Sequence, residues 1–218
     1  MNIFLVRHAQ SLSNVNHEVL KLNTNMSIRL SSIGEVQAKE TGDFFSNHFI
    51  LNKSQKTDIK IWNSPYHRTR QTSQEIKNSF NAKNIKFSEE ESIYISERQF
   101  GLVDDVVDYN THFQHESKHF NLHRKSNHDF FARPPLGESP FDMCMRLDFF
   151  LKTILANESN IENHIVVSHG AAIRGLIMMQ QKHKYETFTC PNPYNASVRL
   201  IADDIYHNQI FCPSNITG

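Results

Sequence analysis

Three short apolar segments each run into residues able to handle an oxyanion. Ile3 to Val6 leads straight to Arg7-His8, the strand suggested by Ile59, Ile61 and Trp62 gives way to Asn63-Ser64-Pro65 and then Arg68, and Ile165 to Val167 is followed by Ser168-His169-Gly170. Arginine presents a planar fork of donors suited to phosphate oxygens, and a neutral imidazole can attack phosphorus. If the three ends are neighbours, two guanidiniums and two imidazoles converge on one pocket, and a helix opened by Gly170 adds free backbone N–H groups that favour an anion. A phosphate would fit there. Singly, the residues carry little information, because 10 arginines and 13 histidines in 218 residues give about 0.6 Arg-His pairs by chance. Alone, His8 or His169 reads as an ordinary capping or core histidine, Arg68 as a solvated helix residue and Glu97 as a surface carboxylate.

Convergence requires an open α/β sheet, which binds ligands at the carboxyl ends of its strands. The continuous apolar runs are of the kind buried inside parallel sheets. Ser32-Ile33-Gly34-Glu35 has capping-box spacing, and Val36, Ala38, Thr41, Phe44, Phe45 and Phe49 predict a helix from about Ile33 to His48. Thr69, Thr72, Ile76 and Phe80 mark one face of a helix after the second strand, and Ile93 to Ile95 is expected to close a third strand. A polar, histidine-rich stretch from about Asp104 to Arg133 reads as an insertion. Pro134-Pro135-Leu136-Gly137 is a turn, Ser139 can cap with Pro140 at the first helical position, and Phe141, Met145, Phe149 and Leu155 are expected to supply the buried face. Ile165 to Val167 is a further strand, Ala171 to Gln180 a further helix, and Ser197 to Ala202 and Ile205 to Phe211 are later strands. The alternation predicts an α/β three-layer sandwich, a mostly parallel central sheet covered by helices on both faces.

A chain of 218 residues and 25.3 kDa predicts a single domain, 1–218, with a lid insertion at about 102–136. Lysine plus arginine and aspartate plus glutamate both total 23, which disfavours a broadly basic surface for nucleic acid. With 39% apolar residues, 16 of the residues being phenylalanine, the composition is that of a folded globule. The richest apolar run, Ile165 to Met179, is interrupted by His169 and Arg174, so no membrane segment is expected. The N-terminus lacks the basic and long apolar regions of a signal peptide, and Cys144, Cys190 and Cys212 have neither disulfide nor zinc-site spacing. A cytoplasmic protein is expected.

Several segments, in order along the chain, resemble the motifs of the histidine phosphatase superfamily, most of all its phosphoglycerate mutase-like branch. They are Leu5-Val6-Arg7-His8-Ala9-Gln10-Ser11 with Asn14, Leu30-Ser31 with Gly34 and Gln37-Ala38, Ser64 to Thr72, Ser96-Glu97-Arg98-Gln99-Phe100-Gly101, Gly137-Glu138-Ser139, and Val167-Ser168-His169-Gly170. The resemblance runs from residue 3 to about residue 176; after about Tyr185 no motif is recognised. It implies a phosphoglycerate mutase-like fold, His8 as the phosphate-accepting nucleophile, Arg7, Arg68, Asn14, His169 and Gly170 as the phosphate pocket, and Glu97 as proton donor. Arg7, Arg68 and His169 thus count among both the catalytic and the phosphate-binding residues. The chemistry agrees: neighbouring arginines disfavour a charged His8, and a carboxyl facing a phosphate dianion is expected to hold its proton longer. Ala9 stands where the family has glycine, and Gln10 where an acid is common; alanine suits the turn if its φ is negative.

The resemblance therefore implies a phosphoric monoester hydrolase of the metal-independent histidine acid phosphatase type, working through a phosphohistidine on a phosphorylated small-molecule substrate, with no cofactor. A phosphoglycerate mutase is the rival within the same chemistry, and a non-catalytic phospholigand-binding protein the rival outside it. His112, His115, His119 and His123, spaced to share a helix face, allow a third reading as a metal site, with a solvated lid face the plainer one. Arg124 and Lys125 beside them could contact an anionic substrate.

Overall fold

Alternation along β1 (Asn2–Arg7) sends Phe4 and Val6 to one face and Ile3 and Leu5 to the other, so both faces of its sheet need cover. In the computed structural model, which describes residues 1–51, 58–102, 114–158, 160–181, 184, 185, 188, 192–202 and 205–214, helices supply it. The Phe4 face, with Ile59, Ile61, Ile165 and Val167, packs on Phe45 and Phe49 of α2 (Ser32–Leu51), the helix that follows the short α1 (Leu12–Val15), and on Ile76 and Phe80 of α3 (His67–Ala82). The Ile3 face, with Trp62 and Val166, packs on α5 (Pro140–Phe149) and α6 (Gly170–Gln180) through Met143, Leu147, Ala172 and Leu176.

The sheet adds β2 (Ile59–Asn63), β3 (Ser88–Glu91), β4 (Asn163–Ser168), β5 (Val198–Ala202) and β6 (Ile205–Phe211), in the order β3-β2-β4-β1-β5-β6. β3, β2, β4 and β1 are parallel, and β5 and β6 join antiparallel. Arg7 pairs with Ser168 and Asn63 with Val167, so three strands end level with one another. That register, more than any one contact, assembles the site.

Three local expectations need correction. The N-cap of α2 is Ser31, one residue earlier than expected, since Gly34 N donates to Ser31 Oγ at 3.0 Å. The third strand is Ser88–Glu91, an exposed polar edge, whereas Ile93–Ile95 forms a 3-10 turn that buries only Ile95. An edge strand bonded on one side needs no apolar pattern and is protected by charge. On α5 the capping box between Ser139 and Asp142 forms as expected. Its buried face, however, is Met143, Cys144 and Leu147, while Phe141, Met145 and Phe149 are exposed by 44%, 58% and 44%. Of the segment read as an insertion, 102–136, the structure describes residue 102 and residues 114–136, the latter opening with α4 (Gln114–Asn127).

Burial also sets an acid limit on stability. Trp62 Nε1 donates to Nδ1 of buried His164 at 3.1 Å, and burial pushes the His164 pKa down to about 4. His164 is neutral in the folded chain but takes a proton at about 6.5 when unfolded, so unfolding binds protons and stability falls as pH drops from about 6.5 to 4. Urea titrations followed by the fluorescence of Trp62, the sole tryptophan, are expected to show the midpoint declining over that window, less steeply in His164→Gln.

Candidate active site

His8 directly follows β1 and is fixed from every side. Its N–H donates to Ser168 O at 2.9 Å, its carbonyl accepts from Ala196 N at 3.2 Å and from Asn195 Nδ2 at 3.0 Å, and the next residue's N–H, that of Ala9, donates to Thr72 Oγ1 of α3 at 3.0 Å. Ala9 is not among the residues with positive φ, which answers the departure from glycine at that position. Gln10 N donates to Gln37 Oε1 at 2.9 Å, and Gln10 Oε1 accepts from Ser31 Oγ at 2.6 Å, so the amide ties the loop to the start of α2. α2 lies so close that a Cβ on Gly34 would sit 2.0 Å from Gln10 O. Gly34→Ala is therefore expected to cost about 1–3 kcal/mol, measured by urea unfolding, and to lower activity by shifting the His8 loop.

The imidazole's hydrogen bonds fix its tautomer. His8 Nδ1 lies 2.8 Å from Ala9 O, and a carbonyl only accepts, so Nδ1 carries the proton. Nε2 is left with its lone pair, and Arg68 Nε donates toward it at 3.3 Å. Burial first, then Arg68 and Arg7, hold the His8 pKa well below its ordinary value. Arg68, on the first turn of α3, is itself buried, lies over the Tyr66 ring at 4.6 Å and donates through Nη1 to Asn25 O at 2.7 Å. Arg7 is buried and donates to Pro193 O, and burial pushes its pKa down to about 10.

His169, at the N-terminus of α6, faces His8 with ring centroids 5.2 Å apart and Tyr66 at 4.6 Å. Its Nε2 meets Ser64 Oγ at 2.7 Å, while Nδ1 is buried with no hydrogen-bond partner among the described residues. Burial leads, with Arg68 and His8 following, in depressing its pKa well below the usual imidazole value. Gly170 opens the helix beneath the Asn192 side chain, whose Oδ1 would lie 2.8 Å from any Cβ there. Asn14 enters through Asn195, whose Nδ2 reaches both His8 O and, at 3.3 Å, Asn14 Oδ1; that oxygen also accepts from Ser11 N and Ser11 Oγ at 3.0 Å each.

Glu97 sits in the loop after the 3-10 turn, half-buried, and is the strongest charge acting to keep Arg7 protonated. The loop is clamped by a pair from the Gly137-Glu138-Ser139 turn and α5. Arg146 donates to Tyr94 O at 2.6 Å and Glu97 O at 3.0 Å, its Nε meets Glu138 Oε1 at 2.8 Å, and Glu138 accepts from Gln99 N at 3.0 Å.

The structure thus brings Arg7, His8, Asn14, Arg68, Glu97, His169 and Gly170 to one end of the sheet. Sequence reading missed Pro193, Asn195 and Ala196, which secure Arg7 and His8 through Pro193 O, the Asn195 side-chain amide and Ala196 N. Their only signal is the turn composition of Pro191-Asn192-Pro193-Tyr194-Asn195. On α4, His115, His119 and His123 are exposed, with the first two rings 4.6 Å apart; among the described residues no three metal-capable side chains gather, and His112 lies outside those residues. Arg124 is paired with Asp129 at 2.7 Å. No helix among the described residues is long and apolar enough to cross a membrane.

Comparison with known proteins bears on the family and the fold. A family model, the histidine phosphatase superfamily (branch 1), matches residues 3–210. The phosphoglycerate mutase-like protein AT74 of Arabidopsis thaliana is 28% identical over 212 residues, covering 91% of this chain; the chain spans 64% of that relative's length, less than two thirds. The broad-specificity phosphatase YOR283W of Saccharomyces cerevisiae is 26% identical over 92% of this chain and 79% of its own. Among solved structures, the alpha-ribazole phosphatase from Shigella flexneri shares the fold, with a TM-score of 0.69 at 16% identity over 95% of this chain and 94% of its own.

Proposed function

This chain belongs to the histidine phosphatase superfamily, branch 1, and from that premise we propose that it is a cytoplasmic, metal-independent phosphomonoesterase acting on a phosphorylated small molecule through a phosphohistidine at His8. The observation that carries the reading is the state of His8: neutral, protonated on Nδ1, with the Nε2 lone pair directed into a cationic pocket. Arg7, Arg68 and Asn14 would bind the phosphoryl oxygens with the free N–H groups that begin at Gly170. His169 completes the set: phosphoryl oxygens only accept, so Nδ1 would donate to one while Nε2 accepts from the Ser64 hydroxyl.

In the first step His8 Nε2 attacks phosphorus, the N–P bond forms, the ester P–O bond breaks, and the leaving alkoxide takes a proton from the Glu97 carboxyl. In the second, water attacks phosphorus and gives its proton to the Glu97 carboxylate; the N–P bond breaks and inorganic phosphate leaves. Most of the acceleration in such a scheme comes from fixed positive charge around the transferring group.

The test is phosphate release from a panel of phosphate esters with EDTA present, combined with acid quenching to trap the phosphoenzyme. Release at an undiminished rate, together with acid-labile phosphate on His8, is the expected result. Turnover that requires a divalent metal would overturn metal independence. Isomerisation of 3-phosphoglycerate in the presence of a bisphosphate primer, outrunning phosphate release, would replace the hydrolase with a mutase.

A further inference from the structure

The histidines of α4 play no part in the hydrolytic scheme, yet two of them already stand as a pair of ligands would. His115, His119 and His123 line a cavity of about 710 Å³ together with residues 133–136. His115-Glu116-Ser117-Lys118-His119 has the H-E-x-x-H spacing by which one turn of helix presents two imidazoles to a single zinc ion. A step of four residues returns a side chain to the same helix face, and α4 is helical throughout this stretch. The first two rings accordingly meet, with centroids 4.6 Å apart and planes inclined at 44°.

That separation suits a shared ion. A zinc–nitrogen bond of about 2.0–2.1 Å puts the metal roughly 3.2 Å from each ring centre, so ligand angles of about 90–110° need centroids about 4.5–5.2 Å apart. Glu116 shares the cavity, and its charge favours a cation there. The one arginine among the described lining residues, Arg133, is engaged by Asp142 at 2.6 Å. No third metal-capable side chain gathers with the pair among the described residues, so water would complete the coordination.

We infer that His115 and His119 form a two-imidazole site for a divalent ion of the zinc or copper class, which cross-links successive turns at the start of α4. Neutral imidazole suits such ions, whereas magnesium demands oxygen ligands. The site uses none of the groups given roles in phosphoryl transfer, so it stands or falls apart from the phosphatase reading. Leu136 borders both this cavity and the one that holds Tyr66 and Gln99, so the cross-linked turns stand at the edge of the catalytic mouth.

The test is calorimetric titration of the full chain, stripped of metal and held in a non-coordinating buffer, with zinc chloride alone. One zinc per chain is expected to bind with a Kd below about 100 μM, and His115→Gln and His119→Gln should each weaken it by about 10-fold or more. Both positions are exposed and glutamine is a good helix former, so the variants should keep the circular dichroism of the wild type. His123→Gln, on the same face one turn on, should bind zinc as the wild type does. Amide hydrogen exchange reads the cross-link independently: zinc should slow exchange across residues 115–123 in the wild-type chain and in neither pair variant. Copper(II) should displace zinc, and excess magnesium should not. Zinc binding that is absent at about 1 mM, or that survives in either pair variant at wild-type strength, would overturn the site. So would displacement by magnesium, or a loss in His123→Gln as large as that in His119→Gln. Binding that leaves exchange in α4 unchanged would refute the cross-link.

Discussion

Replacing His8 by alanine is expected to give a folded protein that releases no phosphate above background and accumulates no acid-labile phosphoenzyme. The effect should be on the order of 10⁶-fold in kcat, the scale on which removal of a covalent nucleophile acts. Its size follows from geometry. Ala9 O holds the Nδ1 proton, Arg68 disfavours protonation of Nε2, and a backbone fixed by Ser168, Asn195 and Ala196 leaves the ring little freedom. No other group can take over the attack without rearrangement, because the nearest imidazole, His169, has Nε2 engaged by Ser64. Folding of the variant is checked by circular dichroism, and phosphoenzyme by acid quenching after brief exposure to a labelled ester. Residual turnover with wild-type kcat would remove His8 from the nucleophile's role.

The parts of this arrangement that were legible in the sequence share a physical cause. A strand buried on both faces is largely apolar, so Ile3 to Val6, Ile165 to Val167 and, with only Lys60 interrupting, Ile59, Ile61 and Trp62 declared themselves, and the polar residues at their ends were the natural candidates for a site. The fold class and the meeting of Arg7, His8, Arg68 and His169 followed from that single pattern. On α5 the same reasoning failed, because Phe141, Met145 and Phe149 repeat at helical spacing as well as Met143, Leu147 and Phe150 do, and periodicity does not rank two apolar stripes. Ser88–Glu91 was missed because an edge strand is held by backbone hydrogen bonds to β2 and buries none of its side chains. Pro193 and Ala196 were missed for a related reason: Pro193 O holds Arg7 and Ala196 N holds His8 through main-chain groups, and Ala196 adopts a φ of 57°, which its residue type does not advertise.

Glu97→Gln is expected to slow hydrolysis of alkyl phosphates by roughly 10²- to 10⁴-fold while leaving activated aryl phosphates much less affected. An alkoxide leaves poorly without a proton, whereas a nitrophenolate needs none, so the dependence on leaving group is the signature of general acid catalysis at this position. The substitution is nearly isosteric, and the amide oxygen can still accept from Arg98 N, as Glu97 Oε1 does at 3.0 Å. The backbone is held independently, with Arg146 bound to the carbonyls of Tyr94 and Glu97 and Glu138 bound to Gln99. A loss confined to poor leaving groups therefore reports the missing proton, not a displaced loop. Glu138→Gln supplies the contrasting case: loosening the clamp should lower rates for both ester classes alike, because it moves Glu97 and its neighbours without changing any proton inventory at the reacting oxygen. Equal losses for alkyl and aryl esters in Glu97→Gln would assign the carboxylate to electrostatics around Arg7, with the leaving group's proton coming from elsewhere.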